Sequence, residues 1–258
     1  MGTPLKDWDI QINYGIKTGY NDAFIISTEK RNEILANCKT EEERRKTEEL
    51  IRPILRGRDI KRYGYEWAEL WLINTHNGVK GRIPRIRIED YPAVKAHLDQ
   101  FWDKIKDRAD QGDTPYNLRN CAYLEEFSKP KAMWKIIGCN INFSFDYSHC
   151  LCNNAVNIIT GHEELLLQFV GIMNSKLFDW YLKLTTEAEV QGGGIQLYVT
   201  TLEKTLVKLD FSGELSNVVR NRIRCQASDN DVDNAVFKAY GIDSTEQSFI
   251  LTHKKVNR

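Results

Sequence analysis

A glycine-bracketed loop and an apolar run lie side by side in the stretch Gly15-Ile16-Lys17-Thr18-Gly19-Tyr20-Asn21-Asp22-Ala23-Phe24-Ile25-Ile26. Two glycines four positions apart allow backbone angles that other residues resist. Between and after them, Lys17, Thr18, Tyr20 and Asn21 offer donors to an anionic or polar partner. The apolar run predicts a buried strand that anchors the loop. An ordinary turn would explain the pattern as well as a binding loop does, so the remainder of the chain has to decide.

Composition places the chain among folded proteins. It has 258 residues, 41% of them hydrophobic and 28% charged, which suits one large domain or two small ones. The formal net charge is zero, which argues against a uniformly basic nucleic-acid binder but leaves local patches open. There is no 18-residue apolar run and no apolar signal core, so we expect a cytoplasmic protein that contacts no membrane. The N-terminus resembles the start of an expressed fragment of a longer protein.

Two segments concentrate positive charge. The first, Ile51 to Tyr63, carries five cations against one acid, and the second, Lys80 to Ile88, carries four cations and no acid before Glu89. Alternation with isoleucines predicts a strand on which Arg85 and Arg87 share one face. The segments predict a basic surface, although surface ion pairs with acidic residues would explain them too. The cations in question are Arg56, Arg58, Lys61, Arg62, Arg85 and Arg87.

The hydrophobic pattern predicts an α+β fold with a curved mixed β-sheet. Apolar residues recur at helical spacing over 92–110 and again over 163–184, with Asn174-Ser175 as a joint, so two helices are expected to pack on the sheet. Thr40 is expected to cap a charged helix that ends before Pro53. Gly241 is expected to end a helix that begins near Val232, and Ser244 to cap the last helix. Ile195 to Val199 predicts a late strand. We expect residues 1–210 to form the main domain and 211–258 a small helical tail, packed on it or on a further domain.

Polar turn residues are the candidates for reading a ligand. Asn and Arg side chains contact adenine and guanine edges in pairs of hydrogen bonds, but they are also common in turns. A glycine triplet at 192–194 could cradle phosphate through its N–H groups or simply connect two elements. The candidates that follow from these patterns are Tyr116, Asn117, Arg119, Gln191 and Gln196.

Catalytic and metal-binding motifs are sparse. The sequence has no GxxxxGK[ST], GxGxxG, HExxH or GxSxG motif. Cys150 and Cys152 could form a zinc site together with His149 and His162. The sequence has no second close pair of cysteines, however, so buried reduced thiols are the simpler interpretation. The pair Glu89-Asp90 lies at the start of a helix, where acids interact favourably with the helix dipole. A two-metal nuclease site would need further carboxylates, so we do not expect such a site there. We therefore expect binding without catalysis and no bound metal.

In order along the chain, the sequence shows a resemblance to a known family. Its blocks are the glycine loop 15–24, the segment 53–63, Tyr91 to Leu98, Tyr116 to Arg119, Lys129-Pro130-Lys131 and Gly171 to Leu177. Together they resemble the TaqI-like C-terminal specificity domain of adenine-specific DNA methyltransferases and type IIG restriction–modification enzymes. More distantly they are similar to the target-recognition domains of type I specificity subunits.

The resemblance implies a module that recognises a short duplex DNA target and that is not itself an enzyme. In the family it lies opposite a methyltransferase domain of the same protein, which binds S-adenosylmethionine and flips an adenine; Mg²⁺ would belong to a parent that also cleaves DNA. No cofactor is implied in this chain. We expect phosphate contacts from Lys17 and the six cations above, and base contacts from the polar turn residues. The alternatives are a protein-interaction module with a basic strip, half of a type I specificity subunit, or a catalytic nuclease.

Overall fold

The computed structural model describes residues 2–185, 189–190 and 194–252. Within these ranges the chain forms both strands and helices. The strands are β1 Thr3–Pro4, β2 Ile10–Tyr14, β3 Ile25–Ser27, β4 Ile51–Leu55, β5 Leu70–Ile73, β6 Lys131–Lys135, β7 Ile137–Gly138, β8 Phe143–Asp146, β9 Leu151–Cys152, β10 Val156–Gly161, β11 Glu189–Val190, β12 Gly194–Gln196 and β13 Leu206–Val207. The α-helices are α1 Asn21–Phe24, α2 Thr28–Ala36, α3 Glu41–Leu50, α4 Pro92–Asp99, α5 Trp102–Ile105, α6 Glu163–Asn174, α7 Lys176–Thr185, α8 Val199–Leu202, α9 Glu214–Ile223, α10 Asp229–Tyr240 and α11 Ser244–Thr252.

The α+β prediction is confirmed, with the described strands divided among four open sheets. One sheet is antiparallel and has the order β2-β10-β6-β8; a second has the order β3-β5-β4-β9, with β9 parallel to β4. Two smaller sheets are β11-β12-β7 and β1-β13. The second sheet is mixed, as the sequence predicted.

The antiparallel sheet separates two hydrophobic cores. Ala132 and Trp134 of β6 join the first core, which contains α6, α7, α9 and α10, whereas Met133 between them joins the second core with α2 to α5. The same alternation occurs on β10, where Ile158 faces the second core and Ile159 the first. Because neighbouring side chains of a strand point to opposite faces, both faces of this sheet are buried.

Several predicted boundaries agree with the structure. Thr40 accepts a hydrogen bond from Glu43 N (3.1 Å) and starts α3, and the joint at Ser175 separates α6 from α7. Gly241 ends α10 with φ of 72°, in the left-handed region where glycine is favoured. Helices α9 and α10 bury Val219 and Val236 in the first core, so the C-terminal helices pack on the described body.

Four expectations about local structure were wrong. The strand expected over Ala23 to Ile26 is only partly formed, because Asn21–Phe24 form α1 and β3 begins at Ile25. The helix expected over 92–110 breaks at Gln100-Phe101, and after α5 the buried Arg108 donates to Ile105 O at 3.2 Å, occupying a carbonyl at the helix end. Residues 84–87 form no strand, so Arg85 and Arg87 lie on an irregular segment. The late strand ends at Gln196, and Val199 begins α8 instead.

Candidate nucleic-acid interface

A cleft of about 930 Å³ opens beside one end of the antiparallel sheet. Its walls come from the end of β2, the start of α1, the Arg56–Arg58 segment after β4, the β6–β7 connection, the turn at residues 153–155 and residues 196–199. These segments are far apart in sequence, and the sheets bring them together. Of the residues predicted to bind DNA, the cleft contains Asn21, Arg56, Arg58 and Gln196.

The glycine loop forms one approach to this cleft, and most of its polar groups are used internally. Thr18 is buried; its hydroxyl donates to Asn21 Oδ1 (2.6 Å) and its carbonyl accepts from Arg108 Nε (2.8 Å). Tyr20 is half-buried and packs on Phe101, with ring centroids 6.2 Å apart. Lys17 is exposed and has no ion pair within the described residues. The loop therefore presents Lys17 and Asn21 rather than all four predicted residues.

Arg56 and Arg58 have different surroundings although they are two residues apart. Arg56 binds Asp59 through two of its nitrogens, at 3.1 Å from Nε and 2.9 Å from Nη2, and this hydrogen bonding raises the pKa of Arg56. Arg58 is exposed and forms no ion pair in the part of the chain that is described. Arg58 is thus the cation of this turn whose charge is not already neutralised by a carboxylate.

Lys61 and Arg62 are held by the protein itself. Lys61 Nζ lies 3.2 Å from Glu66 Oε2. Arg62 reaches Asp229 at the start of α10 (Nη1 to Oδ2, 3.0 Å) and donates from Nη2 to Asn174 O (2.5 Å). Neither residue lines the cleft. Arg62 therefore joins the segment after β4 to the C-terminal helix α10.

The cleft lining includes none of the predicted readers at 116–119 and neither of the cations Arg85 and Arg87. Asn117 is only 2% exposed and donates its amide to Ile86 O at 2.9 Å, so this side chain is not presented at the surface. Arg85 pairs with Asp113 (3.0 Å) and Arg119 with Asp110 (2.8 Å).

Two further predicted residues differ in whether their polar groups already have a partner in the protein. The hydroxyl of Tyr116 donates to Asp99 Oδ1 at 2.6 Å, whereas Arg87 is exposed without an ion pair among the described residues. Gln191 lies outside the described residues.

Sequence reasoning missed several residues of the cleft. Lys135, at the end of β6, lines it without an ion pair in the described ranges, and Tyr14 and Tyr198 are each 52% exposed at its edge. Asn153 and Asn154 form its turn. The Asn-Asn pair before an apolar strand is a turn signal that could have been noticed, but nothing in the sequence places it beside Lys135.

Asn157 of β10 is a further residue of the cleft lining. Its side chain is 1% exposed, and neither its amide nitrogen nor its amide oxygen has a hydrogen-bond partner within the described residues. In the sheet it stands opposite Tyr14 on one neighbour and Trp134 on the other, so the three side chains share a face.

The cysteines proposed as zinc ligands are buried in the second core. Cys150 Sγ lies 3.2 Å from Ser148 Oγ, and Cys152 Sγ lies 3.3 Å from Met133 Sδ. Burial raises the pKa of both thiols, which disfavours the thiolate that zinc requires. Among the residues described, no group of three or more His, Cys, Asp or Glu side chains is placed to hold a metal ion. Nor is any described helix long and apolar enough to cross a membrane.

Comparison with known proteins identifies the family to which this fold belongs. The model of the TaqI-like C-terminal specificity domain matches residues 52–205. The chain belongs to that family, and the resemblance seen in the sequence is confirmed. No curated protein matches the sequence significantly.

Solved structures give the architecture. The chain is similar to the type IIL restriction–modification enzyme MmeI, whose structure is in complex with DNA, with a TM-score of 0.64 and 14% identity over 96% of this chain and 35% of that one. A match to the type IIG restriction endonuclease BpuSI has a TM-score of 0.45 and 13% identity over 86% of this chain and 26% of that one. This chain thus spans about a third or less of the length of these enzymes.

Proposed function

We propose that this chain is the module with which a restriction–modification enzyme recognises a short sequence in duplex DNA. The observation that supports the proposal most directly is the cleft, where Arg58 and Lys135 have no ion pair within the described residues and stand near exposed tyrosines and amides. Cations that are not internally neutralised are available for phosphates, whose contacts supply affinity and position the protein. Amides and hydroxyls are the groups that read base edges.

In this proposal some of the predicted residues contact DNA directly, and others act indirectly. Arg58, Lys135 and Lys17 would contact phosphates, since each is a cation without an ion pair in the described structure. Asn21 and Gln196 would contact DNA within the cleft. Arg56, Lys61 and Arg62 would act indirectly by shaping the segment after β4, because their charges are held by Asp59, Glu66 and Asp229.

The enzyme as a whole would require other domains. The chain would contribute specificity without catalysis, beside a methyltransferase domain of the same protein that uses S-adenosylmethionine. MmeI, which was determined with DNA and is about three times as long by the coverage above, supports such an arrangement. The parent enzyme would act in the cytoplasm, and Mg²⁺ would be needed only for a nuclease domain.

A charge-reversal experiment tests the proposal. The double variant Arg58→Glu, Lys135→Glu is compared with Arg45→Glu, Lys183→Glu, which changes the charge equally at two exposed helix cations outside the cleft. Binding to a pool of random duplexes is measured by fluorescence anisotropy over a series of salt concentrations. We expect the cleft variant to lose about tenfold or more in affinity and the control to bind like the unchanged chain.

Two results would contradict the proposal. One is that the unchanged chain binds no duplex at low salt. The other is that both double variants lose affinity equally, because the effect would then follow net charge rather than the cleft. Binding of an acidic protein without DNA binding would favour the interaction-module alternative.

A further inference from the structure

Asp22 is the only acidic residue among the described residues that line the cleft. Its side chain is exposed, and within the described part of the chain it forms neither an ion pair nor a hydrogen bond. Arg58 and Lys135, the cations of the cleft without an ion pair, line the same space and are not joined to it. The carboxylate of Asp22 is therefore accessible to a molecule that enters the cleft.

The backbone on both sides of Asp22 is held in place. Before it, the Thr18 hydroxyl donates to Asn21 Oδ1 at 2.6 Å. After it, Ala23 and Phe24 are fully buried in the second core. Asp22 lies between these residues in the first turn of α1. Its carboxylate is thus presented to the cleft from a fixed support, which a contact that distinguishes bases requires.

A carboxylate in a cleft that receives DNA opposes binding in general. Its negative charge repels the phosphates of every duplex, whatever the sequence. The same charge favours one sequence over the others when a base donates a hydrogen bond to it. Specificity is a difference between affinities, so a group that weakens binding to all sites and restores it at one of them increases discrimination.

The base that suits Asp22 must donate and must not present an acceptor beside the donor, because an ionised carboxylate only accepts hydrogen bonds. In the major groove, guanine presents two acceptors, and thymine presents an acceptor and a methyl group. Adenine has a donor at N6, but its acceptor N7 lies next to it and would face the second carboxylate oxygen. Cytosine presents the N4 amino group alone, so it is the complementary base.

We propose that Asp22 is a specificity-determining residue that reads one cytosine of the DNA target by accepting a hydrogen bond from the N4 amino group. The inference rests on the proposed function and deepens it. Arg58 and Lys135 bind phosphates, and Asp22 contacts a base edge in the same cleft. When guanine or thymine takes the place of that cytosine, an acceptor faces the carboxylate and the affinity falls.

A base analogue tests the contact without altering the protein. A preferred sequence is first selected from random duplexes with the unchanged chain. Each cytosine is then replaced in turn by N4-methylcytosine, which still pairs with guanine but carries a methyl group in place of the major-groove hydrogen. We expect one position at which the analogue weakens binding about tenfold. With Asp22→Ala, the analogue should have no effect at that position, because the acceptor is already gone.

Asp22→Ala should also bind random duplexes about threefold more tightly at low salt, because a charge that repels phosphates has been removed. A residue with only a structural role would not produce this gain. Asp9→Ala is the matched control: it removes an exposed acid without an ion pair in the described ranges, at the other end of β2 from Tyr14 and outside the cleft lining. It should keep the full effect of the analogue and the affinity for random duplexes. Thermal unfolding verifies that both variants are folded.

Four outcomes would overturn the inference while leaving DNA recognition intact. They are a selected sequence without cytosine, no effect of the analogue at any cytosine, an equal effect in the unchanged chain and Asp22→Ala, and weaker binding of random duplexes by folded Asp22→Ala. Sensitivity to N6-methyladenine in place of N4-methylcytosine, lost with Asp22→Ala, would assign the residue to adenine and contradict the cytosine contact. Absence of any DNA binding by the unchanged chain would overturn the inference and the proposed function together.

Discussion

A Cβ atom on Gly15 would lie 1.9 Å from the carbonyl oxygen of Asn153. The glycine loop after β2 therefore packs directly against the turn before β10, and Ile16 N donates to Cys152 O at 2.7 Å in the same contact. Position 15 requires glycine because the two backbones approach closely there. A left-handed backbone conformation is not the reason, because the φ of Gly15 lies outside that region. The loop and the Asn-Asn turn of the cleft thus form one packed unit.

The substitution Gly15→Ala should destabilise the fold. The added methyl group overlaps backbone atoms that cannot rotate away, and overpacking of this kind costs about 1–3 kcal/mol or more. Gly64→Ala is the matched control, because a Cβ there meets no atom within 4 Å. Urea denaturation of both variants measures the difference. Equal free energies of unfolding would show that the loop can move away from the turn without cost.

Arg56 and Arg58 should separate stability from DNA affinity. Arg56→Ala removes a paired contact to the buried Asp59, and hydrogen bonds to charged groups are worth about 1.5–3 kcal/mol, so the fold should be weakened. Arg58→Ala should change the free energy of unfolding by less than about 0.5 kcal/mol. It should instead lower the slope of log affinity against log salt by about 0.9, the value for one phosphate contact.

Denaturation and salt titration on the same two variants make the comparison. The assignment is contradicted if Arg56→Ala lowers the salt slope at unchanged stability while Arg58→Ala leaves the slope as it was. That pattern would mean that Asp59 releases Arg56 on binding.

Local signals in the sequence predicted local structure well. The α+β class, the helix cap at Thr40, the joint at Ser175 and the glycine end at Gly241 all depend on residues within a few positions of one another. Even the small shift in the last helix is local: Asp243, not Ser244, accepts from Thr245 N (2.8 Å) and Glu246 N (2.9 Å). Short-range hydrogen bonding of this kind follows from the residue types alone.

The binding surface could not be predicted in the same way, because it depends on distant pairings. Nothing near Arg62 in the sequence indicates that Asp229 will neutralise it, or that Lys135 will remain unpaired beside Arg58. Charge runs reveal where cations are numerous, whereas only the folded structure shows which of them are free. Asn157 was overlooked for a related reason, since one amide in an apolar strand has no periodicity.

Stability should decrease in mild acid because of His97. This side chain is buried; its Nε2 donates to Ala23 O at 3.0 Å, and Nδ1 has no partner within the described residues. Burial is the main cause that lowers the pKa of His97, so the unfolded chain binds a proton more readily than the folded one. The stabilisation is present above the unfolded pKa of about 6.5 and is lost as the pH falls below it.

Unfolding free energies between about pH 7.5 and about pH 5.5 test this expectation. The decrease should be smaller in His97→Gln, which can still donate to the carbonyl of Ala23 but does not titrate. His162→Gln, at an exposed position, is the control and should show the same decrease as the unchanged chain. An unchanged decrease in His97→Gln would assign the effect to other groups.

The buried ion pair of Lys131 and Asp146 should contribute strongly to the stability of the antiparallel sheet. Both side chains are fully buried, with Nζ 2.5 Å from Oδ2, and Asp146 also accepts from Ser148 N at 2.8 Å. Burial disfavours ionisation of Asp146, but the charge of Lys131 and these hydrogen bonds lower its pKa on balance. This carboxylate therefore stabilises the fold above its unfolded pKa of about 3.9, and that contribution is lost as the pH falls through the folded value.

Lys131→Met should cost about 3–5 kcal/mol, because it leaves a buried carboxylate without its cation. The double variant Lys131→Met, Asp146→Asn should lose less than the sum of the two single variants, since neither member then carries an unpaired charge. Urea denaturation of the unchanged chain, the two single variants and the double variant measures the energetic coupling between the two residues. Because Lys131 begins the strand that ends at Lys135 in the cleft, loss of the pair should also weaken DNA binding as the strand loosens. Strictly additive losses in the free energy of unfolding would mean that the two charges are satisfied independently. Strand β6 would then be held in the sheet by its hydrogen bonds alone.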